Sequence, residues 1–167
     1  ITAPSGVISA TTGSLLGTVY YAVSQQLDSY QEGDASPSSA GVNVNASRCT
    51  VTIPTSANTR CTGRYIYRTK SSASTLYRLA TVSDNTTTSY SDNIADTSLD
   101  TTIIAPIDYG IPASYKYACL HDSRIFLTGN KTNKSDIVFS DTRSGTSHPD
   151  VFPANNILYI ARDDGDE

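Results

Sequence analysis

His121 and His148 are the only histidines of the chain, and so its only candidates for the base of a nucleophilic triad. His121 precedes Asp122 in a segment typical of a hairpin turn, and His148 precedes Pro149. The Gly-x-Ser-x-Gly turn that exposes a nucleophilic serine does not occur in the sequence. We therefore expect turn or surface roles for both histidines and predict that the chain is not an enzyme.

Two sets of carboxylates offer the oxygen ligands that calcium prefers. One set forms an acidic turn, and its spacing departs from the D-x-[DN]-x-[DN]-G calcium loop. The other is spread over connecting segments. We expect solvated side chains in both sets and no metal or other cofactor, with calcium binding as the alternative. The first set is Asp163, Asp164, Asp166 and Glu167, and the second is Asp92, Asp96, Asp100 and Asp108.

Three cysteines, Cys49, Cys61 and Cys119, are too few for a disulfide framework. Cys49 and Cys61 would approach each other only if they lay on neighbouring strands. Residues 1–25 lack the basic start and apolar segment of a secretory signal. The sequence therefore predicts buried free thiols, with a Cys49–Cys61 pair as the alternative.

The composition favours strands over helices. Ser and Thr together number 45, and Tyr accounts for 11 of the 14 aromatic residues. Residues of this kind suit pleated, half-solvated surfaces. The net charge is −4 without any Lys/Arg-rich run, so we expect no nucleic-acid partner. Apolar stretches are too short to span a bilayer, and we expect no membrane insertion.

Period-two alternation recurs through residues 1–105. Tyr65 and Tyr67 share one face of a predicted strand, and Ile66 lies on the other between Arg64 and Arg68. Short strands separated by turns every 8–12 residues or so are typical of an antiparallel sandwich. The predicted strands are Gly6–Ala10, Thr18–Gln25, Val42–Asn45, Cys49–Ile53, Arg64–Arg68, Leu76–Val82 and Thr86–Ser91.

Residues 106–167 are predicted to form a second β unit. Pro106, Gly110 and Pro112 punctuate its start and suggest a hinge. Four apolar runs follow and resemble a four-stranded meander, like one blade of a propeller, which is too small to be stable without neighbours. The start at Ile1 and the acidic final turn predict an excerpt of a longer polypeptide, with a disordered charged tail as the alternative. The four runs are Tyr115–Leu120, Arg124–Thr128, Ile137–Ser140 and Ile157–Ala161.

Several motifs of the first unit resemble fibronectin type III-like domains. The segments GTVYYAV (17–23) and SPS (36–38) look like the last hairpin of such a domain. GRYIYRT (63–69), YRLATV (77–82) and TSYSD (88–92) are similar to its middle strands in phage tail proteins. Because the final-hairpin motif comes first, the resemblance implies one sandwich with rearranged strand order, or the end of one sandwich followed by most of another.

The second unit resembles propeller-like strands of tailed-bacteriophage tail proteins. The motifs are LHDSRIFLTG (120–129), IVFS (137–140), PDVFP (149–153) and NILYI (156–160). In that family such strands build the tube or nozzle at the distal end of the tail. The resemblance implies a non-enzymatic virion component that packs in a ring with copies of itself and with neighbouring virion proteins.

The tyrosines are the candidate contact residues. Tyr65, Tyr67 and Tyr77 are predicted to form part of a subunit interface, because rings at alternate strand positions are often buried between partners. Exposed tyrosines also stack on sugars, so an adhesion or glycan-binding module of a secreted or cell-surface bacterial protein is the alternative; Tyr20 and Tyr30 would join the three in that role. A glycan-degrading tail enzyme would need a carboxylate pair that the sequence does not identify.

Overall fold

The computed structural model describes residues 1–28, 31–107, 114–132, 134–141, 152 and 156–159. Its regular elements are all strands, every pairing is antiparallel, and no helix occurs among these residues. The predicted all-β class is confirmed. The strands are β1 (Ser5–Val19), β2 (Tyr21–Leu27), β3 (Gln31–Glu32), β4 (Val42–Thr52), β5 (Cys61–Thr69), β6 (Leu76–Val82), β7 (Ser89–Asp92), β8 (Tyr117–His121), β9 (Arg124–Thr128), β10 (Asp136–Phe139) and β11 (Ile157–Tyr159).

The chain divides into two compact units, Ile1–Pro106 and Ile107–Glu167. The N-terminal unit has two sheets, with strand orders β1-β4-β7 and β3-β2-β5-β6. Residues from both sheets enclose one apolar core, so the unit is a β-sandwich. Since β1 pairs with β4 and β2 pairs with β5, residues 1–45 and 46–105 belong to the same sandwich. The core residues are Leu15, Val19, Tyr21, Val23, Val42, Val44, Cys49, Val51, Ile53, Ile66, Leu79 and Leu99.

Two parts of this sandwich differ from the strands that alternation predicts. β4 joins two predicted strands across Ala46, whose φ is +46°. Val44 and Cys49 both face the core although they are an odd number of residues apart, because the irregular pairing at this point shifts the period-two pattern. Conversely, the predicted strand Thr18–Gln25 is two strands, since the chain passes from one sheet to the other at Tyr20.

The free edge of β2 is covered by the segment that follows β3. The backbone N–H groups of Ser36 and Ser39 donate to the carbonyls of Val23 and Tyr21, at 2.8 and 2.7 Å. The hydroxyl oxygens of the same serines accept the N–H groups of Val23 and Tyr21, at 3.1 and 3.0 Å. Each serine therefore satisfies both backbone groups of its partner, which leaves this edge closed to a further strand.

The C-terminal unit contains one four-stranded sheet with the order β11-β10-β9-β8, as the predicted meander requires. β8 and β9 are joined by Asp122 and Ser123, which have φ values of +46° and +60°. A two-residue connection with both φ values positive is a hairpin turn, so the predicted turn after His121 is confirmed. The predicted hinge residues Gly110 and Pro112 lie outside the described residues.

Candidate functional site

A cluster of polar side chains lies on the outer face of the β3-β2-β5-β6 sheet. The carboxylate of Glu32 accepts hydrogen bonds from the Tyr67 hydroxyl, from Ser24 Oγ at 2.5 Å and from Arg78 Nη2 at 2.5 Å. Arg78 also donates to the Tyr67 hydroxyl at 2.9 Å. Its guanidinium carbon lies 3.8 Å from the centre of the Tyr65 ring, which is close cation–π contact. The cluster is thus a closed network on one sheet.

Burial, charges and hydrogen bonds shift the pKa values of three side chains in this network. Burial and the neighbouring Glu32 carboxylate raise the pKa of Tyr67, and burial raises the pKa of Tyr65. For Arg78, burial alone lowers the pKa, but the Tyr67 hydrogen bond and the Glu32 charge outweigh it, and the pKa is raised. Both tyrosines therefore stay neutral and Arg78 stays charged near pH 7.

The three tyrosines predicted as an interface do not form one surface. Tyr67 is fully buried against Ala22 and Ala105, so its ring lies inside the unit. Tyr65 is partly buried and packs against the same group of side chains, and the Arg78 guanidinium lies over its ring. Tyr77 instead packs against the main core, with the Lys70 ammonium 5.9 Å from its ring centre. The exposed parts of Tyr65 and Tyr77 thus lie on different sides of the sheet.

A buried ion pair holds β5 to the end of β7. Arg68 and Asp92 are both fully buried, and Arg68 Nη1 lies 2.9 Å from Asp92 Oδ2. The same carboxylate accepts the Tyr21 hydroxyl at 2.9 Å, and Asp96 accepts Arg68 Nη2 at 2.9 Å. Strand alternation could not reveal this pairing, because the partners lie 24 and 28 residues from Arg68. The expectation of a solvated side chain is therefore wrong for Asp92, and both Asp92 and Asp96, considered above as alternative calcium ligands, bind an arginine.

A second arginine, Arg64, is also fully buried and holds the connections at the other end of β5. It donates to the backbone carbonyls of Pro54 and Thr87, at 2.9 and 2.7 Å, and its Nη2 lies 3.3 Å from Asp84 Oδ1. Backbone and side-chain hydrogen bonds from Thr87, with others from Thr86, hold the pKa of Asp84 well below its ordinary value. The connection between β6 and β7 is therefore held to the core by an arginine.

Of the other carboxylates considered as alternative calcium ligands, Asp100 lies in the part of the chain that the structure describes. Asp100 accepts hydrogen bonds from Thr102, at 2.9 Å from its backbone nitrogen and 2.7 Å from its hydroxyl. In the part of the chain that the structure describes, no group of three His, Cys, Asp or Glu side chains could hold a metal ion. His121 is exposed beside Phe126, with ring centres 6.4 Å apart. His148, Asp108 and the acidic turn with Asp163, Asp164, Asp166 and Glu167 lie outside the described residues.

All three cysteines are free thiols. Cys49 is buried in β4 and Cys61 at the start of β5, in different sheets, so the alternative Cys49–Cys61 pair is wrong. Burial raises the pKa of the Cys49 thiol. Cys119 differs from the expectation of a buried thiol, since it is exposed on β8.

One face of the meander is apolar and open, and we call it the open face. Tyr117, Cys119, Phe126 and Ile137 line a shallow cavity of about 360 Å³ on it. Phe126 stacks on Phe139 with ring centres 5.7 Å apart. The side chain of Tyr117 is 57% exposed. Apolar side chains left uncovered in this way mark a surface suited to contact with another protein.

Comparisons with known proteins add no family assignment: no protein-family model, no curated protein and no solved structure matches the chain. Among the described residues there is also no helix of the length and apolar character needed to cross a membrane.

Proposed function

We propose that this chain is a non-enzymatic structural component of a tailed-bacteriophage virion, in the tail or its nozzle-like tip. It acts by assembly, packing against copies of itself in a ring and against neighbouring virion proteins. The proposal rests on the resemblance of both units to tail proteins. The observation that supports it most directly is the open face of the meander, with Tyr117 and Phe126 on its surface.

The physical basis of this role is the apolar surface that the meander leaves exposed. On its open face, Tyr117 is 57% exposed beside Cys119, Phe126 and Ile137. A neighbouring subunit that covers such a face gains hydrophobic free energy at the centre of the contact. Stable contacts of this kind bury roughly 800 Å² on each partner. Tyr65 and Tyr77, which keep exposed parts on the N-terminal sandwich, are proposed to make separate contacts with neighbouring subunits.

A charge on the open face tests the proposal. We expect Tyr117→Asp to reduce the fraction of phage particles with intact tails, because a carboxylate buried in an apolar contact is strongly unfavourable. Thr132→Asp introduces the same charge at an exposed position in the β9–β10 connection that does not line the cavity on that face, and it should leave assembly unchanged. Electron microscopy of purified particles gives the tail count, and circular dichroism of the isolated variants establishes that both are folded.

Two results would contradict the proposal. If mass spectrometry of purified particles finds none of this chain's peptides, the chain is not part of the virion. If folded Tyr117→Asp enters intact tails as often as Thr132→Asp does, the open face is not the contact surface.

An adhesion or glycan-binding module is the alternative function. Of the five tyrosines expected to bind the glycan, Tyr67 is buried, Arg78 covers the Tyr65 ring and Tyr30 lies outside the described residues, whereas Tyr20 and Tyr77 keep exposed parts. A sugar on the sandwich would therefore have to bind away from Tyr65 and Tyr67.

A further inference from the structure

A cleft of about 670 Å³ opens on the N-terminal sandwich, where β1 passes into β2 and where β5 leads into β6. This volume is in the range of roughly 300–1,000 Å³ that is usual for small-molecule pockets. Its described lining contains no charged side chain. Apart from Ala73, every lining side chain bears a hydroxyl group: Thr18, Tyr20, Ser38, Thr69, Ser72 and Ser74.

Tyr20 provides an aromatic surface in this cleft. Its side chain is 37% exposed, although the backbone on either side of it is buried. A Cβ atom at Gly41 would lie 3.1 Å from two atoms of the ring, so the absence of a side chain there lets the ring lie close to the backbone. Thr69, the last residue of β5, holds the Tyr20 backbone with two hydrogen bonds. Its Oγ1 accepts the Tyr20 N–H at 3.1 Å, and its own N–H donates to the Tyr20 carbonyl at 3.0 Å.

The hydroxyl-bearing wall is also held in place. Ser72 N–H donates to the Thr18 carbonyl at 3.2 Å, and the Ser71 N–H donates to Asp96 Oδ2 at 2.6 Å. Ser72 has a φ of +58°, which turns the chain sharply at this point. Asp96 is itself bound to the buried Arg68. The β5–β6 connection is therefore anchored to the core, and its hydroxyl groups are positioned before any ligand arrives.

Most of these hydroxyl groups are free to bind. Within the described part of the chain, the hydroxyls of Thr18, Ser38, Ser72 and Ser74 make no hydrogen bond, whereas that of Thr69 is used by Tyr20. Ser38, Ser72 and Ser74 are exposed. A ligand that matches this cleft needs many neutral donors and acceptors together with a flat apolar patch for the ring.

The geometry points to a neutral oligosaccharide as the ligand of this cleft. Sugar hydroxyls both donate and accept, as the serine and threonine hydroxyls do, and the C–H face of a pyranose packs on an aromatic ring. A charged ligand would find no counter-charge in the described lining, and a purely apolar one would leave the hydroxyl groups without partners. The site does not depend on the proposed assembly role, since none of its residues lies on the open face of the meander.

Titration of the whole chain with maltotetraose, cellotetraose and N-acetylchitotetraose, followed by ¹H–¹⁵N correlation spectra, tests this inference. We expect at least one of these to give saturable shifts at the amides of Tyr20 and of residues 72–74. Tyr20→Ala should weaken that binding by about tenfold or more, as the loss of a main contact does. The matched control Tyr117→Ala removes an exposed tyrosine from the other unit and should leave the affinity unchanged.

Ser74→Asp provides a second variant, because it alters an exposed hydroxyl and not the ring that packs on Gly41. It should also weaken saccharide binding while leaving tail assembly as it is, so failure of this site and failure of the proposed assembly role are distinguishable. Three results would overturn the inference: no saturable shift with any of the three tetrasaccharides, unchanged affinity in both variants, or saturable binding of a heparin tetrasaccharide alone.

Discussion

At the scale of single residues, the most unusual feature is the burial of Arg64 and Arg68 on the core side of β5. Each is fully buried, and each holds a connection that is distant in the sequence. Alternation correctly placed both arginines on the same face as Ile66, but it could not show that this face is the core. Buried arginines need partners, and the carboxylate partners of Arg68, which are Asp92 and Asp96, were assigned to connecting segments.

The Arg68–Asp92 pair gives a direct comparison between a buried and an exposed ion pair. We expect Asp92→Asn to lower the free energy of unfolding by about 3 kcal/mol, because Arg68 loses its fully buried carboxylate partner and keeps only the partly exposed Asp96. Asp28→Asn makes the same change in the exposed Asp28–Arg60 pair and should cost less than about 1 kcal/mol. Urea denaturation of the two variants measures the difference, and equal losses would show that the buried pair is not specially stabilising.

At the scale of elements, alternation located most strands and failed where a strand departs from regular pairing. Leu76–Val82 was predicted with its observed bounds, since its residues follow the simple pattern. β4 was predicted as two pieces, because the shift near Ala46 moves the buried side chains from even to odd positions. The burial of Tyr67 was missed for another reason: its cover includes Ala105, which reaches it through hydrogen bonding to the edge of β6.

The serine cover of the β2 edge makes a prediction at this scale. Ser39→Ala leaves the buried Tyr21 N–H without its hydroxyl acceptor, and Ser36→Ala does the same for Val23. We expect each to reduce stability by about 1–3 kcal/mol and to speed hydrogen exchange at the amide concerned. Ser38→Ala, between them and exposed, is the matched control and should change neither quantity. Exchange that is equally slow in all three variants would mean that the hydroxyl bonds do not protect this edge.

At the scale of the whole molecule, the N-terminal unit has what a separate domain requires. Its core is drawn from both sheets, and its ion pairs, including Arg68–Asp92 and Arg78–Glu32, are internal to it. We expect a fragment of residues 1–106 to give a β-type circular dichroism spectrum and to unfold in a single cooperative transition.

Thermal denaturation of the fragment and of the whole chain, followed at the same wavelengths, measures this. A fragment that shows no transition, or one whose near-ultraviolet signal from buried Tyr21 and Tyr67 is lost, would mean that the sandwich needs the remaining residues to fold.

The overall β class was predictable from the sequence, because composition and alternation are properties of short segments. The candidate surfaces were not predictable in this way. The cleft at Tyr20 and the side-chain cluster around Tyr65 each combine segments that are far apart in sequence.

The three thiols differ in exposure, so chemical modification of the native chain can report on contacts of the open face. Cys49 and Cys61 are shielded, whereas Cys119 projects from the open face of the meander, opposite Phe126 on the neighbouring strand. A maleimide should therefore modify the native chain first at Cys119, without any engineered cysteine. Alkylation slows when a partner covers that thiol, so its rate in free chain and in assembled particles is a footprint of that face.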